Sequence, residues 1–325
     1  MTRIIGIGSA LLDVLARVPE EFVVGLPGGK GGMVLIDGPE MAALLARLPA
    51  DASLVPGGSA ANTVLGLARL GLPGRLLAKV GDDANGALYR DNARAAGVDG
   101  VAFKTNPAVP TGTCISLVTP DSERTMRTCL GAAATLSPAE ISVADFAGCT
   151  HAHIEGYMLF NRELMLHLLK TAKAAGCTVS LDLASYEVVR ASVDILPGLL
   201  GEWVDMVFAN EDEAAAFVGG ADENAALERL GDLCGVAAVK LGQRGALIRR
   251  GDERVRVACR TVPAVDTTGA GDLWAAGFLY GMYTGRSLAA SGDCGALVSR
   301  EVVQVMGAAI PEDRWQALRA QMTAY

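Results

Sequence analysis

The amino-acid sequence predicts an α/β fold in which a mainly parallel sheet carries helices on both faces and a small β-rich lid is attached. The chain has 325 residues, 51% of them hydrophobic, which is enough apolar material for a large core. Beyond residue 150, strand-like and helix-like segments alternate regularly. Before residue 130, two irregular regions interrupt the alternation, and these predict the lid.

The alternation in the second half of the chain predicts the parallel sheet. Apolar strands are predicted at residues 4–8, 76–80, 151–155, 178–182, 204–209 and 236–240, and helices at residues 60–70, 162–175, 211–217 and 224–234. Strands that alternate with helices are typical of a parallel sheet covered on both faces. Residues 246–250 and 254–259, joined at Gly251-Asp252, predict an antiparallel hairpin.

Two irregular regions predict the lid. The first contains the cluster Gly28-Gly29-Lys30-Gly31-Gly32, and the second contains the turn residues Pro120-Asp121-Ser122 between two short strand patterns. We therefore predict a large nucleotide- and substrate-binding domain and a discontinuous lid. The large domain comprises residues 1–13, 57–100 and 130–325, and the lid comprises residues 14–56 and 101–129.

Charge balance and cysteine spacing exclude several classes of protein. The formal net charge is −8, from 28 Lys+Arg and 36 Asp+Glu, and no basic face for a nucleic acid is visible. The seven cysteines lie at irregular spacings without a Cys-x-x-Cys, so neither a zinc site nor a disulfide framework is expected. No signal peptide or membrane-spanning apolar segment is recognisable. We expect a cytoplasmic protein with a small-molecule partner and no nucleic-acid or membrane partner.

The segment Val265-Asp266-Thr267-Thr268-Gly269-Ala270-Gly271-Asp272-Leu273-Trp274 carries the chemistry. Its glycines let the backbone approach a ligand, and the free N–H groups at the following helix start form an anion site. Phosphoryl transfer needs fixed donors of this kind, together with a base near the attacking hydroxyl. Asp272 is the candidate base. The alternative is that Asp272 only caps the helix.

Two motifs resemble those of a known family. Residues 266–272 resemble the C-terminal signature of the ribokinase-like (PfkB) carbohydrate kinases, and Gly57-Gly58-Ser59-Ala60-Ala61-Asn62 resembles their N-terminal signature. The resemblance extends from Ile4 to about Pro311. It implies a three-layer α/β/α sandwich and an ATP-dependent transfer of the γ-phosphoryl group to a hydroxyl, expected to be primary, of a small sugar or ribonucleoside.

The resemblance also implies roles for individual residues. Asp272 would be the general base, and the backbone of Gly269, Ala270 and Gly271 would be the anion hole. The substrate would be bound by Asp13, Gly57, Gly58, Asn62 and Glu155. The nucleotide would be bound by Asn210, Lys240, Gly242, Gly245 and Thr268. Asn210 and Glu213 would hold Mg²⁺ through water molecules, and Asp266 and Thr268 are candidate ligands for a monovalent cation such as K⁺.

The positions of these residues relative to the predicted strands support this assignment independently. Asp13, Glu155, Asn210 and Gly242 all follow predicted strands, and the carboxyl ends of parallel strands form the ligand-binding edge of an open sheet. Without the resemblance, Asp13 is interpreted as a turn residue. Asn210 would then belong to an acidic, well-capped first helical turn.

The sequence leaves the identity of the phosphate acceptor and the oligomeric state undecided. The long insertion after Asp13 and the sequence Glu123-Arg124-Thr125-Met126 resemble the adenosine-kinase branch, whereas Leu181-Asp182-Leu183-Ala184-Ser185 departs from it. The protein is expected to be a monomer or a homodimer. A non-catalytic sugar or nucleotide sensor on the same fold is a second hypothesis.

Two other enzyme classes fit the sequence poorly. A nicotinamide-dependent oxidoreductase would need a third glycine after Gly6-Ile7-Gly8, at the position where Leu11 stands. A P-loop nucleoside triphosphatase would need the Gly-x-x-x-x-Gly-Lys-Ser/Thr motif, which the sequence does not contain.

Overall fold

Across residues 2–121 and 123–323, which the computed structural model describes, the chain forms sixteen strands and twelve α-helices. Met1, Ala324, Tyr325 and Ser122, which is one residue of the predicted hairpin turn, lie outside the described residues. The strands are β1 (Ile4–Ile7), β2 (Leu11–Arg17), β3 (Met33–Leu35), β4 (Ser53–Gly57), β5 (Gly74–Leu77), β6 (Lys79–Gly81), β7 (Val98–Asp99), β8 (Lys104–Asn106), β9 (Thr111–Val118), β10 (Arg124–Gly131), β11 (His151–Glu155), β12 (Thr178–Asp182), β13 (Met206–Asn210), β14 (Val236–Lys240), β15 (Ala246–Arg250) and β16 (Glu253–Val257). The helices are α1 (Glu20–Val23), α2 (Gly38–Leu45), α3 (Ser59–Leu70), α4 (Ala84–Ala95), α5 (Arg162–Ala174), α6 (Tyr186–Ser192), α7 (Leu196–Trp203), α8 (Glu211–Val218), α9 (Glu223–Leu233), α10 (Ala270–Tyr283), α11 (Leu288–Val302) and α12 (Glu312–Met322).

The main sheet has the strand order β16-β15-β14-β13-β12-β11-β1-β5-β7 within the described residues. Its strands run parallel, except that β15 pairs antiparallel with both β14 and β16. The register places Glu155 beside Asp182 and Asn210 beside Lys240, so neighbouring strands end at the same edge. This sheet confirms the predicted α/β fold and the predicted antiparallel hairpin.

Helices cover both faces of the main sheet, as the alternation predicts. One face buries Ile5, Val179 and Val207 against helices α5 to α9. The other face buries Ile4 and Phe208 against α3, α10, α11 and α12. These two apolar layers produce the three-layer sandwich, and α10, which is buried along most of its length, is the central helix of the second layer.

A second sheet, of order β3-β10-β9-β2-β4, is formed by parts of the two irregular regions. One of its faces packs Ile115 and Leu117 against Met41 and Leu44 of α2. Strands β2, β4 and β10 each run across a predicted domain boundary, by one to three residues. The division of the chain into a body and a lid stays a prediction.

Two local predictions are wrong. Asp13 does not follow a strand of the main sheet but lies within β2, which pairs with β9 and β4 of the second sheet. The strand predicted at residues 76–80 is interrupted at Ala78, where β5 ends and β6 turns away to pair with β8. In both cases the partner strand is distant in sequence, so the local pattern carries no information about the pairing.

Candidate active site

A cavity of about 680 Å³ opens at the carboxyl edge of the main sheet, beneath the second sheet. Of the predicted site residues, all but Gly57 and Asp266 line it. The described strands β11 to β14 end with Glu155, Asp182, Asn210 and Lys240, each of which lines the cavity. The fold thus brings together residues more than 250 positions apart, at the edge where an open parallel sheet binds its ligands.

Asp272 lies in the first turn of α10 and faces α3. Its carboxylate accepts hydrogen bonds from Ser59 Oγ at 2.7 Å and from Asn62 Nδ2 at 2.9 Å. The helix is capped by Gly269 without a side-chain bond, so the interpretation of Asp272 as a helix cap is wrong. Burial raises the pKa of the Asp272 carboxyl, the Asn62 hydrogen bond opposes this, and the nearby Asp182 raises the pKa further.

The two glycines of the turn are required for different reasons. Gly269 has a φ of 73°, a left-handed conformation that glycine adopts without strain. Gly271 has no such torsion, but a Cβ there would lie 3.0 Å from Lys240 Nζ. Between them, the Ala270 N–H donates to the Thr267 carbonyl at a long 3.2 Å. Gly269, Ala270 and Gly271 all line the cavity, so the helix start presents its backbone there, with the Ala270 N–H already bonded within the turn.

Asp13 lines the cavity from β2, and Gly57, the last residue of β4, makes room for it. A Cβ on Gly57 would lie 2.3 Å from the Asp13 carboxylate. Gly58 has a φ of 98°, and a Cβ there would lie 2.2 Å from the Ser9 carbonyl oxygen. Burial, with a smaller contribution from Asp272, raises the pKa of Asp13 to about 7.

Glu155 uses its carboxylate to hold backbone. Its oxygens accept from the Ser9 N–H at 2.8 Å and from the Ala60 N–H at 3.2 Å. Burial raises its pKa to about 7 against the effect of these hydrogen bonds. Glu155 therefore ties the end of β11 to the segment before β2 and to the start of α3, the two elements that carry Asp13 and Asn62.

Asn210 and Glu213 cap helix α8 reciprocally. The Asn210 Oδ1 accepts from the Glu213 N–H at 2.8 Å, while the Glu213 carboxylate accepts from the Asn210 N–H and Nδ2, each at 2.7 Å. This is the well-capped turn that the residues alone predict. Burial, and then the neighbouring Asp182, raise the pKa of Glu213 to about 8.

Two charged residues at this site are missing from the sequence-based assignment. Arg124 of β10 donates to Thr268 Oγ1 at 2.7 Å, and its Nε lies 3.9 Å from Asp266 Oδ1, so the second sheet contacts the loop before α10. Asp182 accepts from Lys240 Nζ at 2.7 Å. A carboxylate at the carboxyl end of a predicted strand is the signal that could have identified Asp182.

The end of the cavity away from α10 is apolar. Leu35 of β3 and Phe160, beyond β11, are 52% and 56% exposed, which is unusual for large apolar residues that line a cavity. Further apolar lining residues are Leu11, Met33, Met126, Leu130, Ala133, Ala134, Leu136, Met158 and Leu164. The cavity thus has a charged end and an apolar end.

The three-layer fold and its strand order define a ribokinase-like α/β protein. The chain belongs to the pfkB family of carbohydrate kinases, whose family model matches residues 42–315. The ATP-dependent ribose-1-phosphate kinase of Halopiger xanaduensis is 32% identical over 249 residues, which cover 75% of this chain and 80% of that protein.

Two solved structures resemble the protein over nearly its whole length. A probable sugar kinase from Rhizobium etli has a TM-score of 0.91 and 33% identity, and the match covers 99% of this chain and 100% of the other. The adenosine kinase from Sinorhizobium meliloti has a TM-score of 0.90 and 34% identity, covering 98% and 99%.

The protein is accordingly a sugar or nucleoside kinase, an ATP-using transferase that acts on a hydroxyl group of a small molecule. In the part of the chain that the structure describes, no helix combines the length and the apolar character needed to cross a membrane.

Proposed function

We propose that the protein transfers the γ-phosphoryl group of ATP to a primary hydroxyl of a ribonucleoside, with adenosine as the first candidate. The observation that carries this proposal is the Asp272 carboxylate, which is held by Ser59 and Asn62 at the start of α10. A carboxylate fixed beside a helix N-terminus can accept a proton where backbone donors hold a phosphate.

The reaction needs little covalent participation from the protein. The acceptor oxygen forms a bond to the γ-phosphorus, the bond from that phosphorus to the β-γ bridging oxygen breaks, and ADP leaves with the electron pair. Asp272 takes the hydroxyl proton. The backbone of Gly269, Ala270 and Gly271 stabilises the charge on the moving phosphoryl oxygens, because fixed donors are worth most where charge develops.

The acceptor is bound by both ends of the cavity. Asp13, with Gly57, Gly58 and Asn62 around it, accepts hydrogen bonds from a ribose diol, since one carboxylate can take both hydroxyl protons. The apolar end accommodates a flat base, which a free sugar lacks. Among the cavity-lining residues, the basic side chains are Arg124 and Lys240, and both lie at the α10 end. A phosphate at the ribose C1 therefore has no counter-charge, which disfavours ribose 1-phosphate.

The nucleotide is bound beside α10, where Asn210, Lys240, Gly242, Gly245 and Thr268 line the cavity. The donor set fits Mg²⁺, because the carboxyl groups of Asp182, Glu213 and Asp272 surround Lys240 and offer the oxygen ligands that this ion prefers. Asn210 and Glu213 satisfy each other's hydrogen bonds, so they would hold the ion through water molecules. When bound, Mg²⁺ neutralises phosphate charge.

The second sheet acts as a lid in this proposal. Arg124 ties β10 to the loop before α10, so closure adds a positive charge near the phosphates and excludes water. Asp266 accepts from the Thr268 N–H at 2.9 Å and from the Gly307 N–H at 2.8 Å, so its carboxylate holds the loop before α10 against the segment around Gly307. Asp266 and Thr268 would be the ligands of a monovalent cation such as K⁺, and no step of the mechanism uses that ion.

A coupled ADP-release assay over adenosine, other ribonucleosides, ribose, fructose and ribose 1-phosphate tests the proposal. We expect ribonucleosides to give the highest kcat/KM. Turnover confined to free sugars would overturn the assignment of the acceptor. Ligand-induced thermal stabilisation without ADP release from any acceptor would favour the non-catalytic sensor.

A further inference from the structure

The Lys240 side chain is more deeply buried than contact with the nucleotide alone would require. It is the last residue of β14, and its side chain reaches across the end of β13 to Asp182 at the end of β12. The two side chains are only 11% and 6% exposed. A pair of opposite charges this deeply buried is costly to assemble, so its position calls for a functional explanation.

The position of the ammonium is defined on its other side by Gly271. A Cβ on Gly271 would lie 3.0 Å from Lys240 Nζ, tighter than an ordinary contact. Gly271 is an ordinary helical residue without a positive φ, and Lys240 supplies the nearest atoms to the space that a side chain there would enter. The ammonium therefore lies against the first turn of α10, one residue from Asp272.

We propose that Lys240 is a catalytic residue that donates to the γ-phosphoryl group during transfer, and that Asp182 is a positioning residue that holds the ammonium under the anion hole. This inference rests on the proposed function of the α10 start. In the transfer step, Lys240 stays protonated throughout, the phosphorus exchanges the ADP oxygen for the acceptor oxygen, and the acceptor proton goes to Asp272.

The geometry explains why two charges are needed. A lysine is a flexible point charge on four methylene groups, and alone it could adopt many rotamers. Its hydrogen bond to Asp182 restricts the ammonium before the substrate arrives, so that little reorganisation is needed when charge develops on the phosphoryl oxygens. The backbone N–H groups of residues 269–271 and the ammonium then meet the phosphoryl group together.

The competing explanation is that Lys240 only neutralises Asp182. A double-mutant comparison separates the two explanations. Lys240→Met keeps the side-chain length but leaves Asp182 buried and unpaired, which could destabilise the fold. The double variant Lys240→Met/Asp182→Asn removes both charges with little change in volume, so it keeps the fold even where the single variant does not.

The experiment measures kcat with the best acceptor of the wild-type panel and the Kd of a non-hydrolysable ATP analogue. We expect the double variant to be folded, to bind the analogue within a few-fold of wild type, and to lose about 100-fold in kcat, the usual effect of removing one transition-state donor. A double variant with wild-type kcat would overturn the proposal, because neutralisation alone would then suffice. A loss that appears wholly in analogue binding would also overturn it.

Lys79 provides the matched control. Its side chain is 8% exposed and pairs with Glu140 at 2.8 Å, and it does not line the cavity. Lys79→Met/Glu140→Gln should keep kcat near the wild-type value. A comparable loss in this control would attribute the Lys240 effect to general disruption and count against the proposal. A wild-type protein without turnover on any acceptor would instead refute the proposed function itself, before any variant is compared.

Discussion

Replacing Asp13 by Asn should make the unliganded protein more stable at alkaline pH. The pKa of Asp13 is raised from 3.8 to about 7, chiefly by burial. The folded state therefore binds more protons than the unfolded state between about pH 4 and pH 7, and the free energy of unfolding falls as pH rises through this window. A shift of this size corresponds to about 4 kcal/mol at pH 8, as an upper bound because Asp13 keeps some contact with solvent.

The asparagine side chain resembles the protonated acid, so the variant does not incur the free-energy cost of ionising a buried carboxyl group. We expect the advantage of Asp13→Asn over wild type to grow by about 2–3 kcal/mol between pH 5 and pH 8. Glu155 and Glu213 titrate in both proteins, so their contributions cancel in the difference. Urea unfolding of both proteins at the two pH values, without substrate or nucleotide, measures the difference between their free energies of unfolding. An advantage that does not change with pH, or a variant that is less stable at pH 8, would refute the reasoning.

Three further predictions concern catalysis. Asp272→Asn should lower kcat by about 10²–10⁴-fold without weakening the binding of an ATP analogue, because only the proton acceptor is lost. A single-turnover rate equal to that of wild type would exclude Asp272 as the base. Phe160→Ala should raise the KM for adenosine by about 10-fold and leave that for ribose unchanged, because only the base loses apolar contact; equal effects on both acceptors would contradict this. The KM for the acceptor should rise as pH falls below about 7, where Asp13 becomes protonated, and Asp13→Asn should remove this dependence in initial-rate measurements.

Much of the fold could be predicted because its signals are local. Strands β11, β12 and β14 have the predicted bounds, and α5, α8 and α9 are correct to within one residue at each end, whereas α6 and α7 are not predicted. These elements are short strands rich in buried residues or amphipathic helices, whose pattern is complete within each segment. The pattern does not say which strands pair, and this is why Asp13 was assigned to the end of a main-sheet strand when it lies inside β2.

In the candidate site too, some residues can be predicted from the local sequence and others cannot. Asp272, Asn62 and Asn210 are recognisable because each belongs to a contiguous motif with small or capping residues at fixed offsets. Arg124 and Asp182 are not, because each acquires its significance from a partner far away in sequence: Thr268 is 144 residues from Arg124, and Lys240 is 58 residues from Asp182.

The sequence by itself determined the order of elements, the glycine turn before α10 and the carboxylate that follows it. It could do so because backbone conformation and helix capping depend on neighbouring residues. Only the tertiary structure decided that Lys240 occupies the space left by Gly271 and that Arg124 reaches the same loop from the second sheet. The reason is physical: charges interact through space, and the folded chain alone sets the distances between them.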